Sequence, residues 1–300
     1  MNPETLAPEW AWYFVAIYFF VGGTAAGAYF IGAMAELFGG AKLHELSRDA
    51  FFVALPFLLP TPIFLIADLG RPERFWHLFF SPKEGIPYIN LQSPLSVGSW
   101  ALLLFGLLCL LSFLDNLVAD GRLRFAPFAR FYNRIPRKTY AALGSVTGVF
   151  IAGYTGVLLN VTARPLWAAT APLLGPLFVA SGASTGAAAI ALLMLWRKRA
   201  AGEVFRRLEF FDRLALVTEL LLIAAALVLA GRYAVPLVTG FWGFMFWGGT
   251  IVAGILVPLG LAWKGRHTEG GGMTTIMLPA VLILFGGALL RIALIQAGQV

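Results

Sequence analysis

Long, unbroken apolar runs alternate along the chain with short polar connections. The runs extend over Trp12 to Leu37, Phe51 to Ala67, Val97 to Leu114, Tyr140 to Leu159, Leu173 to Trp196, Leu214 to Ala230, Val235 to Trp263 and Ile276 to Ile295. A helix rises about 1.5 Å per residue, so a bilayer core of about 30 Å takes roughly 20 residues. The runs therefore predict eight transmembrane helices. A soluble-core strand would be shorter, and a membrane barrel would alternate polar and apolar residues at period two. The expected fold class is all-α integral membrane.

Composition agrees with this pattern. Hydrophobic residues make up 59% and charged residues 12% of the 300 positions, and mean hydropathy is +0.81. A water-soluble domain of that composition would expose large apolar patches. Of the 22 Lys and Arg residues, 16 fall in the connections after runs one, three, five and seven, 5 fall in the opposite connections, and Arg291 lies in the last run. By the positive-inside rule, both termini and the loops Asp68 to Pro94 and Asn160 to Pro172 are expected outside the cytoplasm. The net charge of +7 is then a topology signal and not a nucleic-acid footprint. The first ten residues hold Glu4 and Glu9 but no Lys or Arg, so the first run is expected to be a retained span and not a cleaved signal peptide. The expected location is the cytoplasmic (inner) membrane, multi-pass.

Two features modulate the eight-span pattern. Gly23, Ala26, Gly27 and Ala28 correspond at an offset of 159 to Gly182, Thr185, Gly186 and Ala187. This predicts two parallel four-helix bundles, residues 1–160 (with the long outer loop 68–94) and 161–300. The pairs Gly23/Gly27 and Gly182/Gly186 allow helix backbones to approach closely. Pro56, Pro60 and Pro62 fall within seven residues of the second run, where lost amide donors predict a kinked or broken helix.

Metal chemistry has few ligands to draw on. Cys109 is the one cysteine, and His44, His77 and His267 lie near the ends of runs. The chain is expected to hold no iron-sulfur cluster, no haem and no structural metal, and no catalytic residue of its own is assigned. The polar groups at the non-cytoplasmic side are Tyr18, Asp68, Arg71, Tyr154, Arg164 and Arg291. They come from runs one, two, four and eight, and their convergence on one leaflet points to a site for a quinone, whose carbonyls accept hydrogen bonds. Taken singly, each Tyr or Arg also suits an interfacial anchor. Glu36 and Glu219 are acidic candidates for a proton path from the other side; the alternatives are an interfacial Glu36 and a structural Glu219 bonded to a neighbouring helix.

Several motifs occur in a recognisable order. They are Tyr18 to Ala28 (YFFVGGTAAGA), Asp68 to His77 (DLGRPERFWH), Ser93 to Trp100 (SPLSVGSW), Gly153 to Leu159 (GYTGVLL), Arg164 to Trp167 (RPLW) and Ser181 to Gly186 (SGASTG). Together the chain from Tyr18 to about Gln299 resembles the membrane subunit of polysulfide reductases, the NrfD-like family. The resemblance implies an eight-helix subunit that binds menaquinone or ubiquinone, has no redox centre of its own, and exchanges electrons with an iron-sulfur partner subunit attached to a molybdopterin catalytic subunit. It implies quinone contact by Tyr154 and matches Arg164 and Arg291 to family arginines. Tyr18 stands where that relative has a histidine, and Val15 where it has an asparagine. A phenol donates a hydrogen bond to a carbonyl but does not take up a proton near neutral pH as imidazole does.

Electron transfer would require the partner to dock near the quinone, so Arg71, Arg74, Trp76 and His77 are the expected contact residues on the non-cytoplasmic face. Two other functions fit parts of the sequence. A secondary transporter would account for the broken helix and intramembrane carboxylates, and a purely structural anchor would need no quinone. The terminal substrate of the complex is a property of other subunits and is not encoded in these residues.

Overall fold

The structure is a computed structural model that describes residues 12–80, 85–122, 137–162, 164–264 and 273–300; Lys83 and His267 lie outside the described residues. Among the described residues eight helices are long and apolar enough to cross a membrane: Phe14–Phe38, Gly40–Ala67, Pro94–Ala119, Arg137–Asn160, Ala171–Trp196, Gly202–Val238, Gly240–Trp263 and Met273–Gln299. Among the described residues there is no strand, only a bridge between Phe80 and Pro87 in the loop after the second span. The chain is a multi-pass integral membrane protein of all-helical fold.

The first and fifth spans form the centre. Their most apolar windows are 72% and 78% buried against protein, while the other spans bury 33–50% and turn the rest to lipid. Their contact is a seam of backbone against backbone. A Cβ on Gly27 would fall 1.8 Å from the carbonyl oxygen of Gly182, and one on Gly186 would fall 2.3 Å from the amide nitrogen of Ala28. Gly23 meets Gly182 and Ala28 meets Gly186, so the contacts advance in the same direction and the two helices run parallel. Thr24 donates a hydrogen bond to Thr185 across this seam at 3.1 Å. The glycines expected to permit close approach therefore do so, and substitution there must push the helices apart.

The second span is broken, as its prolines predict. Its first helix, His44–Leu58, ends at Leu59, and a second, Pro60–Ala67, follows. Pro60 and Pro62 have no amide donor for the carbonyls four residues earlier. Other spans exceed the apolar runs because charged residues continue the helix into the interface. The sixth helix begins at Gly202, not Leu214, and its first turns carry a Glu203–Arg207 ion pair at i,i+4. The apolar pattern starts a seventh run at Val235. In the structure Val235–Val238 closes the sixth span instead, and Thr239 in an extended conformation followed by Gly240 at φ +63° starts a new helix. Residues Met245–Leu256 of the seventh span are wound as a π-helix.

Candidate functional site

At the end of the bundle that carries the loop after the second span, the first four spans enclose a narrow cleft of about 30 Å³. Tyr18, Gly22, Thr61, Gly98, Ser99 and Tyr154 are among its walls. Glycine at position 98 is a spatial requirement, since a Cβ there would stand 2.5 Å from the Tyr154 ring. Tyr154 donates from its hydroxyl to the Pro94 carbonyl at 2.5 Å and stacks on Phe150 at 5.8 Å. Tyr18 is buried, with Tyr154 and Asp68 within electrostatic reach of its hydroxyl. Ser99 donates to the Leu95 carbonyl at 2.8 Å and Thr155 to that of Ala152 at 2.7 Å. Thr61 Oγ1 is buried without a hydrogen-bond partner among the described residues. Asp68 follows the helix Pro60–Ala67, and burial pushes its carboxyl above the ordinary carboxylate range.

Tyr154 also borders a second space. On the far side of the fourth span, an apolar groove of about 780 Å³ runs between the fourth, fifth and sixth spans, bounded by Phe150, Gly153, Tyr154, Gly175, Ala183 and Phe211. One phenol thus separates a narrow polar-edged cleft from a wide apolar channel.

The remaining sequence-predicted residues divide among four places. Arg71, Arg74 and Trp76 are exposed and His77 half-buried on the short helix Pro72–Leu78, outside the cleft. This loop is fixed to the third span by Ser96 Oγ donating to the Leu78 carbonyl at 3.2 Å and by Trp100 Nε1 donating to the Tyr88 carbonyl at 3.2 Å. Arg164 precedes the helix Pro165–Ala169 and donates to the Gln299 carbonyl at 3.4 Å, so it braces the end of the eighth span and does not line the cleft.

Arg291 also lies outside the cleft walls. It is fully buried between the first, fifth and eighth spans, donating to Ser181 Oγ at 2.6 Å and to the Gly287 carbonyl at 2.8 Å, with its guanidinium 5.2 Å from the Phe178 ring centroid. Glu219, also buried, accepts from Ser184 Oγ at 3.2 Å, with Ser181 and Arg291 in its immediate environment. The sequence suggests separate roles for these two residues, one at the quinone and one on a proton path. The fold joins them in one network, because Ser181 and Ser184 project from the fifth span between them.

Glu36 occupies the opposite, basic end. It accepts from Ser47 at 2.9 Å and pairs with Arg137 at 3.2 Å and His44 at 3.6 Å. Arg137 also pairs with Asp115 at 3.0 Å and donates to Asn116 at 2.9 Å; Tyr140 donates to Asp115 at 2.8 Å. Beside it, the Tyr29 hydroxyl lies 2.7 Å from Ser112 Oγ and donates to the Tyr140 carbonyl at 3.0 Å. Neither Arg137 nor Asp115 stands out in the sequence, since each reads as ordinary interfacial charge. Thr61 does not stand out either; its only signal is its place between two prolines.

Comparison with known proteins agrees with this architecture. The profile of the family described as polysulphide reductase, NrfD, matches residues 4–300. The chain is 29% identical over 323 residues to the protein NrfD homolog of Haemophilus influenzae, covering 97% of this chain and 95% of the relative. It is 27% identical to the protein NrfD of Escherichia coli over 99% of this chain and 96% of that one. A subunit of the polysulfide reductase of Wolinella succinogenes is 28% identical, over 97% of this protein and 94% of that subunit. A match that spans the sequence from its fourth residue to its last, over eight helices in the same order as the motifs, shows that this protein belongs to the polysulphide reductase NrfD family.

Proposed function

We propose that the chain is the quinone-interacting membrane subunit of a respiratory oxidoreductase complex. The observation that carries this reading is the cleft in which Tyr18, Thr61 and Tyr154 meet between four spans, beside an apolar groove. The groups present suit a quinone headgroup: apolar walls for the ring, hydroxyl donors for its carbonyls, and a carboxyl, Asp68, at the edge. The cleft as it stands has room for about one water, so ring entry requires side chains to turn aside. Tyr154 is placed for this, because rotating its ring opens the cleft toward the groove. When bound, menaquinone or ubiquinone supplies a carrier of two electrons and two protons. The chain's own residues orient it and exclude bulk water.

Kinship with a polysulfide reductase subunit supports the rest of the proposal. Electrons pass between the cleft and an iron-sulfur subunit of a molybdenum enzyme docked on the non-cytoplasmic face, where Arg71, Arg74, Trp76 and His77 present charge and aromatic surface. The lysine and arginine distribution supports that orientation in the cytoplasmic membrane. For protons, Glu219 in its network with Ser181, Ser184 and Arg291 offers an acidic group in the interior, and Glu36 one at the basic end. A secondary transporter would place its polar site at the midplane between half-helices, whereas the break at Leu59 lies beside the cleft at one end.

The test is Tyr154→Phe in the purified complex. Quinol-linked turnover should fall about tenfold, the worth of one hydrogen bond of ~1.4 kcal/mol. Activity of the catalytic subunit with artificial dyes should stay unchanged. Equal loss of both activities would contradict the assignment.

A further inference from the structure

A buried serine or threonine in a helix ordinarily returns its proton to the carbonyl four residues earlier. This protein follows that habit repeatedly: Ser99 to Leu95, Ser112 to Leu108, Thr170 to Leu166, Thr185 to Ser181. Thr61 does not. Its Oγ1 is enclosed and has no hydrogen-bond partner among the described residues, and the residue is only 2% exposed. The cause is local. Thr61 sits at the second position of the helix Pro60–Ala67, just past the break at Leu59, between two prolines that carry no amide proton.

The free hydroxyl belongs to the cleft. Thr61 is one of its walls. A Cβ on Gly22 would stand 3.5 Å from its methyl and 3.6 Å from its hydroxyl, so a side chain at that position would lie against Thr61. Of the other hydroxyls around the cleft, Ser99, Tyr154 and Thr155 donate their protons to backbone carbonyls in the cleft as it stands, which leaves Tyr18 and Thr61 as its uncommitted donors. A quinone carbonyl only accepts hydrogen bonds, so the site needs a donor that is not already committed.

The structure assigns that role to Thr61: its hydroxyl donates the hydrogen bond that fixes one carbonyl oxygen of the bound quinone ring. This rests on the quinone reading of the cleft. The broken second span, on this view, exists to free one donor.

The experiment uses the purified complex with a one-isoprene menaquinone and a one-isoprene ubiquinone as probes, and the variants Thr61→Val, Thr61→Ser and Tyr154→Phe. Thr61→Val keeps the shape and removes the donor. Its KM for the better probe should rise about tenfold with kcat changed far less, and one carbonyl stretch of the bound quinone should shift up in the infrared difference spectrum. Thr61→Ser should restore both. Dye-linked activity reports assembly, and if Thr61→Val does not assemble, Thr61→Ala makes the same cut. Parent-like KM and carbonyl bands in Thr61→Val, with binding weakened in Tyr154→Phe, overturn the assignment to Thr61 and leave the quinone site standing. Failure of the parent complex to bind either probe overturns both.

Discussion

At the basic end of the bundle, Arg137 is shared among Glu36, Asp115 and Asn116, and Tyr140 and Ser47 supply further donors to the two carboxylates. At the loop end, Tyr18, Thr61 and Tyr154 surround open space, and the Thr61 hydroxyl has no partner among the described residues. Both regions bury polar groups where the surrounding solvent is lipid. In the first, side chains from the first four spans pair with one another, which is how a polar network holds helices in one register; Arg137 Nε is the atom of that cluster left without a hydrogen bond among the described residues. In the second, the protein leaves donor capacity unused, which is costly unless something else fills it. A satisfied network reads as architecture and an unsatisfied one as an invitation to a ligand.

That contrast can be broken in three ways. Arg137→Ala should have the largest effect, destabilising the chain by about 3 kcal/mol, because Glu36 and Asp115 lose their shared cation. Unfolding in detergent checks it. Quinone-linked turnover per folded molecule should persist, and its loss at unchanged stability would move Glu36 from structure to proton transfer. Next, Gly98→Ala should lower quinone-linked turnover by about tenfold, since the added methyl occupies the place of the Tyr154 ring, an overpacking of roughly 1–3 kcal/mol. Steady-state kinetics beside the dye assay decide that, with unchanged quinone kinetics counting against the cleft.

The smallest expected effect is at Asp68. Burial raises its carboxyl pKa, so the folded protein holds the proton more tightly than the unfolded chain does. The stability this group contributes is present at low pH and is lost as pH rises through the raised pKa. Asp68→Asn removes that loss, so parent and variant should differ increasingly toward neutral pH in their unfolding midpoints. A difference that does not change with pH would show that the carboxyl does not titrate in this range.

Much of the architecture is legible in the apolar runs, because a bilayer fixes helix length and forbids unpaired backbone. The number of spans, the break at the prolines and the close approach at Gly27 and Gly186 follow from residues alone. Helix ends are less legible: residues such as Glu203, Arg207 and Asp212 interrupt an apolar run without interrupting a helix. The grouping of the site is only partly legible. Tyr18 and Tyr154 share one cleft, as their common leaflet suggests, but Arg291 and Glu219, 72 positions apart, read as parts of different devices and fold into one. Depth along a helix can be counted from the sequence; the face on which a side chain emerges depends on which neighbour the helix packs against. Thr61 illustrates the same limit, since whether a hydroxyl finds an acceptor depends on the neighbours the fold brings to it.

Gly22 lines the cleft while Gly23 abuts the guanidinium of Arg291. A helix turns about 100° per residue, so consecutive positions of the first span face the cleft on one side and the buried Arg291 network on the other. Neither residue has a side chain to absorb displacement. Any slide of the first span along its glycine seam therefore reaches the cleft and the Arg291 network together, with a single thickness of main chain between them.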